Sequence, residues 1–381
     1  MRDQAGLARE HVKWEHELTH GDQIETVIDR ALSVAMAEPR GPVYLSLPRE
    51  TLAAGWDGGQ LSEVSRQSTP TALFPEPAAI DRSADLLARA QRPLIVSAQR
   101  TPGRLEGLGR LAERFAMPVV EYWSACQSLS SEHPMHAGFE VSGWIEQADA
   151  VLVLEAQVPW IPQRHSLADD CAVVQVGVDP LFTTLGVRGH GARVSLCSEV
   201  GPALEALEAA LEPRLATESG RLDERRERIV RRIADSRQSA LRMAEKDSSS
   251  TLRRDGVSRA LDGALGGEAL VFNELGCLPA VMSFPDSGSY FGISIAGGLG
   301  WGLPAALGAQ LADRDQLVVA TVGDGSYIFA NPVACHHVAQ SLELPVLTVV
   351  FNNQGWEAVR KATVGIYPEG QALVDVRIEM E

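Results

Sequence analysis

Two short stretches, Gly323-Asp324-Gly325-Ser326 and Asn352-Asn353-Gln354-Gly355, decide how this chain of 381 residues is read. Each closes an apolar run. Leu317-Val318-Val319-Ala320-Thr321-Val322 precedes the first, and Pro345-Val346-Leu347-Thr348-Val349-Val350-Phe351 the second. Both runs are rich in Val and bounded by turn residues, the pattern of buried strands. Between them, residues 331–341 predict a helix, with Asn331 at the N-cap and Pro332 at the first helical position. A strand, a helix and a second strand of this size form a βαβ unit with parallel neighbouring strands. The carboxyl ends of those strands lie side by side, where open α/β sheets take their ligands. Asp324 and Asn353 are thereby expected to meet around one ion.

Working outward, residues 255–381 predict a further α/β unit. A helix over 257–265 leads to a strand over 269–272 that ends at Asn273-Glu274. Then come Gly297-Gly298-Leu299-Gly300-Trp301-Gly302-Leu303-Pro304 and a helix over 305–311. Three strand ends and one glycine-rich turn converge on one edge. Residues 76–211 alternate strand and helix patterns: helices over 80–90 and 105–115, strands over 93–96, 118–120, 148–154 and 172–178. That alternation predicts a doubly wound parallel sheet. Gly103, Gly107 and Gly109 lack the spacing of a dinucleotide fingerprint. The mixed charges of 212–254 predict a helical connector ending in Ser248-Ser249-Ser250. Residues 61–75 are polar and proline-punctuated, as in a linker.

Residues 1–60 hold one amphipathic helix from Asp22, with Glu25 placed for a capping box, and one strand, Val43-Tyr44-Leu45-Ser46-Leu47. One helix and one strand cannot close a core. His11, His16 and His20 sit among charged residues, as on a solvated face. His133 and His136, spaced HxxH, fall in a loop without a third ligand and read as structural.

The composition, 45% hydrophobic and 22% charged, is that of a globular protein. A net charge of −16 argues against nucleic acid or an anionic membrane as partner. A phosphorylated cofactor stays compatible if a divalent cation carries the positive charge. Cys126, Cys171, Cys197, Cys277 and Cys335 form no CxxC, which suits a reducing cytoplasm. The polar start Met1-Arg2-Asp3-Gln4 has no signal-peptide core, and no run reaches the length of a membrane span.

Mg²⁺ takes about six oxygens in octahedral array, one or two of them from side chains. Asp324 offers a carboxylate, Asn353 an amide oxygen and Gly355 a backbone carbonyl. Two diphosphate oxygens and a water would complete that shell. Gly323 and Gly325 leave room for a phosphate, and Ser326 with the helix start after it offers donors to the same anion.

The run GDGS…NNxG, with 26 residues between Gly325 and Asn352, resembles the signature of thiamine diphosphate (ThDP)-dependent enzymes. GGLGWGLPAALGAQLA at 297–312 strengthens the resemblance. The chain looks like an acetolactate synthase large subunit or a benzoylformate decarboxylase. The resemblance implies a ThDP-binding α/β domain, a Rossmann-like middle domain and, at 1–60, the last part of a pyrimidine-binding domain. It implies Asp324, Asn353 and Gly355 as holders of Mg²⁺, and Gly323, Gly325, Ser326, Asn273 and Glu274 near the diphosphate. Gly297 would present its carbonyl to the aminopyrimidine, and Leu299 would sit under the thiazolium and bend the cofactor. The implied chemistry is decarboxylation or carboligation of a small 2-oxo acid, with the cofactor ring as electron sink.

The glutamate with which the family activates the aminopyrimidine has no counterpart at 1–60. After NNQGWEAVRKA the family continues for several more elements, whereas GQALVDVRIEME at 370–381 has no place in its pattern. The expectation is a chain short at both ends, inactive alone, that assembles as a homo-oligomer or with a chain supplying the missing domain. No catalytic residue is assigned within it. A non-catalytic ThDP-binding or purely structural remnant stays open as the alternative. His336-His337 belongs to a different domain from the histidine pair of pyruvate decarboxylases and reads as structural. Leu299 and the bare NNxG favour a benzoylformate-type decarboxylase or lyase over an acetolactate synthase. FAD is compatible with the resemblance, but the stretch HPMHAGF at 133–139 lacks the residues that would support it.

Overall fold

Short Val-rich segments pair into three parallel sheets in a computed structural model that describes residues 5–55, 70–99, 103–246, 252–293 and 295–370. The chain divides into two units, Met1–Phe74 and Pro75–Glu381.

In the first unit, β1 (Trp14–Glu17) pairs with β2 (Val43–Ser46) in parallel, Trp14 opposite Val43. The helix Ile24–Met36 connects them. β1 corrects the expectation of a single strand here. Its charged residues hide a period of two, which puts Trp14 and His16 on one face. Their rings stack with centroids 5.4 Å apart. The expected capping box does not form. A 3₁₀ turn, Gly21–Gln23, precedes the helix, and no side chain caps it. Of the apolar stripe only Val27 and Ala31 are buried, while Leu32 is 62% exposed. Two strands are too narrow to cover the whole helix face. The stretch 61–75 lies mostly outside the described residues.

In the second unit, β3 (Pro93–Ser97), β4 (Val119–Glu121), β5 (Ala150–Leu154), β6 (Ala172–Gly177) and β7 (Val194–Cys197) form a sheet in the order β4-β3-β5-β6-β7. Every pairing in it is parallel. β3 to β6 are buried along their whole length, as expected when both faces are covered. Helices Pro77–Arg89, Leu108–Arg114 and Val200–Leu215 cover one face. Val141, Ile145, Trp160 and neighbouring residues cover the other. The sequence reading had missed β7, whose alternating burial comes from Ser195 and Cys197 facing outward. The predicted connector is two helices, the end of Val200–Leu215 and the 26-residue Ser219–Ala244.

The helix Arg254–Leu265 stops at Gly266, whose φ of +60° gives a left-handed cap. β8 (Leu270–Glu274), β9 (Tyr290–Gly292), β10 (Val318–Gly323) and β11 (Leu347–Phe351) follow, in the parallel order β11-β10-β8-β9. β9, a three-residue edge strand, was not foreseen because it is too short to show alternation. Helices Gly302–Ala312 and Pro332–Ser341 pack on one face of this sheet. Helices Ser219–Ala244 and Arg254–Leu265 reach the other. Pro332 opens its helix as expected. Asn331, at φ +52°, makes no side-chain cap, and its carbonyl instead accepts the Cys335 N–H at 3.2 Å.

The two sheets of this unit are joined through Gln127. Its backbone N–H donates to the Tyr290 carbonyl at 2.9 Å, and its side-chain amide donates to the Phe284 carbonyl at 3.1 Å. Near this seam His136 is buried with Nε2 3.6 Å from Glu121 Oε1, and burial lowers its pKa to about 4.

Glu274, fully buried at the end of β8, fixes the glycine-rich turn. Its two carboxylate oxygens accept the Gly300 N–H at 2.5 Å and the Gly302 N–H at 2.6 Å. The second bond satisfies one of the open donors at the start of helix Gly302–Ala312. Gly300 must be glycine twice over. Its φ is +92°, and a Cβ there would lie 2.6 Å from the Phe329 carbonyl oxygen.

Removing the Glu274 carboxylate leaves two buried N–H groups without acceptors. Glu274→Ala is expected to lower unfolding stability by about 3 kcal/mol or more, read from urea denaturation. Glu274→Gln, which keeps one acceptor oxygen, should lose less. Wild-type stability in Glu274→Ala would show that this carboxylate does not hold the turn.

Candidate functional site

Strand register builds the site. Val322 pairs with Glu274 on one side of β10, and Gly323 pairs with Phe351 on the other. The chain therefore leaves β10 and β11 at the same level. β10 ends at Gly323, and the next residue, Asp324, starts the short helix Asp324–Phe329. β11 ends at Phe351, and Asn352-Asn353 follows at once.

The two asparagines shape their own turn. Asn352 Oδ1 accepts the Gln354 N–H at 2.8 Å, and Asn353 Oδ1 accepts the Gly355 N–H at 3.1 Å. These are successive Asx turns, each side chain capturing the amide two residues on. Gln354 takes a φ of +60° between them. The Gly355 N–H also donates to Asp324 Oδ2 at 3.3 Å, while Asp324 Oδ1 accepts the Gly325 N–H at 3.0 Å. One backbone N–H thus bridges a carboxylate and an amide oxygen that lie far apart in sequence. At Gly355 the group that meets these oxygens is the N–H.

The Ser326 hydroxyl is buried nearby and has no hydrogen-bond partner among the described residues. Such an orphan is rare and calls for a missing partner. A cavity of about 630 Å³ opens over these groups. Leu299, Gly323, Asp324, Gly325, Ser326, Asn353 and Gly355 all line it. These seven predicted residues are brought together.

Three predicted residues are placed elsewhere. Asn273 donates to the Cys277 carbonyl and the Tyr290 hydroxyl, and accepts from Thr321. Glu274 is taken up by the glycine turn. Neither lines the cavity, because both point into the sheet's own packing. Gly297 is exposed at φ +66° and is also outside the lining.

Of the two glycines flanking Asp324, the structure gives a steric reason for one. A Cβ at Gly325 would come within 2.6 Å of the Trp356 indole, so the ring's seat requires glycine there. A Cβ at Gly323 would meet nothing closer than 3.8 Å. Trp356, Arg253, Arg254 and Lys361 also stand on the cavity wall, beyond the residues that the sequence motifs indicate. Their placement comes from the segments before β8 and after β11, and no spacing rule announced it.

The donor set is all oxygen: one carboxylate and one amide, with backbone groups beside them. That chemistry suits a hard divalent cation. The orphaned Ser326 hydroxyl and the helix start at Asp324 suit an anion beside it. The residues present therefore fit a cation with a phosphate group.

Comparison with known proteins agrees with this geometry. The family model described as the thiamine pyrophosphate enzyme central domain matches residues 80–207, and the C-terminal TPP binding domain of the same enzymes matches residues 274–375. Benzoylformate decarboxylase of Pseudomonas aeruginosa is 27% identical over 380 residues, covering 94% of this chain and 66% of the relative. Sulfoacetaldehyde acetyltransferase of Castellaniella defragrans is 25% identical, covering 96% and 64%. The crystal structure of benzoylformate decarboxylase from Polynucleobacter necessarius has the same fold, with a TM-score of 0.70 at 21% identity, covering 94% of this chain and 66% of that one. The chain thus spans just under two thirds of the length of these relatives. With the family's central and C-terminal domains both matched, the chain belongs to the thiamine pyrophosphate (ThDP)-dependent enzymes.

Proposed function

We propose that residues 1–381 provide the diphosphate- and cation-holding half of a ThDP- and Mg²⁺-dependent enzyme acting on a 2-oxo acid. The observation that carries this reading is the meeting of Asp324 and Asn353 on one Gly355 N–H. A divalent cation would replace that N–H as the shared partner of the two oxygens, with the Gly355 carbonyl as a further ligand. Ser326 would donate its unpartnered hydroxyl to the diphosphate. Leu299, on the cavity wall, would carry the apolar contact that orients the cofactor's ring. Bound ThDP supplies an electron sink for breaking or making a C–C bond next to a carbonyl. The chain's own share is to anchor the charged end and to fix where the ring lies.

The chemistry proposed is decarboxylation or carboligation, in line with the decarboxylase and the acetyltransferase among the relatives. A carboxylate acting on the aminopyrimidine would come from outside residues 1–381, in a second chain or an adjoining segment. The reading places the protein in the cytoplasm as an oligomer, with its five free cysteines kept reduced. Among the described residues no helix is long and apolar enough to cross a membrane.

Calorimetric titration with ThDP, with and without Mg²⁺, tests the site. Asp324→Ala is expected to weaken Mg²⁺-dependent ThDP binding by at least about tenfold. Unchanged affinity in that variant would discard the metal assignment, and no ThDP binding by the wild type would favour a structural remnant. A separate assay concerns turnover. The polypeptide of residues 1–381 should bind ThDP yet release no CO₂ from 2-oxo acids until the complementary half is supplied. Full turnover by this polypeptide alone would overturn the half-site reading.

A further inference from the structure

A second cavity, of about 180 Å³, lies against the five-stranded sheet of β3 to β7 and shares no lining residue with the site above. Gln91 to Leu94 lead into β3, Pro118 precedes β4, and Gln147 precedes β5, so it opens at the amino ends of three adjacent strands. Its other wall is the helix Ser219–Ala244. Arg225, Arg228, Ile229 and Arg232 recur there at spacings of three and four, on one helical face.

Four arginines line this cavity, Arg92, Arg225, Arg228 and Arg232, and among the described residues no Asp or Glu does. Among the described residues none of the four makes an ion pair. In a chain of net charge −16 such a cluster would be expected to draw carboxylates. The nearby carboxylates are committed to backbone amides instead. Asp149 accepts the Gln91 and Arg92 N–H groups at 2.8 and 2.9 Å, and Glu146 accepts the Gly143 N–H at 2.6 Å.

Arg225 supplies the second observation. It is 97% buried by a relative exposure of 3%, and its Nε has no partner. Its two terminal nitrogens donate to the Ala90 and Phe115 carbonyls at 2.9 and 3.2 Å, which tie the ends of two helices. Burial, with Arg221 beside it, lowers its pKa to about 10, so it keeps its charge at neutral pH. A buried charge without a counter-ion is costly, and a bound anion would relieve it. The remaining wall is apolar: Pro93, Leu94, Pro118, Trp144 and Ile229. Arg232 stacks on Trp144, with its guanidinium carbon 3.8 Å from the ring centroid, while its terminal nitrogens donate to the Gln147 side-chain oxygen at 3.1 Å and the Gly143 carbonyl at 2.7 Å, which fix its charge at the wall.

We propose that this cavity binds a small organic oxyanion, a carboxylate or phosphate monoester with an apolar body. The charged end would meet the arginines and the body would lie against Leu94, Pro118, Trp144 and Ile229. Pockets that are mostly apolar with a few convergent polar groups are the usual form of such sites. The proposal does not depend on the ThDP reading.

Titration calorimetry at low ionic strength with phenyl phosphate, benzoate and inorganic phosphate tests it. Saturable binding of phenyl phosphate or benzoate is expected, at least about tenfold tighter than inorganic phosphate, which lacks the apolar body. Arg228 makes no hydrogen bond or ion pair among the described residues, so Arg228→Gln should keep the fold, as a thermal melt would verify. Arg228→Gln and Arg232→Gln should each weaken binding about tenfold. Absence of saturable binding would overturn the proposal. So would isotherms unchanged in both variants, which would put the ligand elsewhere, as on the Asp324 site.

Discussion

Everything at the candidate site depends on the register of β10 between β8 and β11. Val322 pairs with Glu274 and Gly323 with Phe351. A slip of one residue would turn every side chain of β10 to the other face of the sheet. It would also move Asp324 out of level with Asn353, and the shared Gly355 N–H could not reach both. Parallel pairing puts all four strand ends of this sheet on one side. That is why a carboxylate and an amide from different strands can share a partner.

Close backbone approaches lock that register. After β8 the chain turns back on β10, and Leu275 makes a single bridge with Val322. A Cβ at Gly276 would sit 2.3 Å from the Thr321 carbonyl carbon, so the turn tolerates no larger residue. Gly300 packs against the Phe329 carbonyl in the same way, and Glu274 ties its N–H down. Glu274 is thus a structural carboxylate. It holds the glycine-rich turn at the sheet edge, and Leu299 within that turn reaches the cavity. The residues that contact the cavity and those that shape it belong to one hydrogen-bonded assembly.

Charge is distributed with a purpose at both ends of the second unit. At the candidate site Asp324 presents an acidic group to the cavity. At the amino ends of β3, β4 and β5, four arginines face a cavity with no acid on its wall. Helix Ser219–Ala244 links these regions. Its earlier part carries Arg225, Arg228 and Arg232, and its end packs under the sheet of β8 to β11 through Ala240, Leu241 and Ala244.

Sequence alone determined the class of the fold and the pairing of GDGS with NNxG. Both rest on local patterns: Val-rich runs bounded by turns, and a helix between them opened by Pro332. Of the ten residues singled out by their pattern, seven line one cavity. Short or masked elements escaped it. β9 has three residues and no period to read, and the charges of β1 hide its alternation. Only tertiary structure decided the roles of Asn273 and Glu274. A carboxylate at a strand end looks alike in sequence whether it faces a ligand or the backbone of a turn 26 residues away. It alone placed Trp356 over Gly325, because steric contact between segments leaves no trace in residue spacing. The arginine-lined cavity was read from sequence only as a charged surface helix. What turned Arg225 inward was the packing of that helix on the ends of two helices more than 100 residues earlier, a contact at long range in the chain.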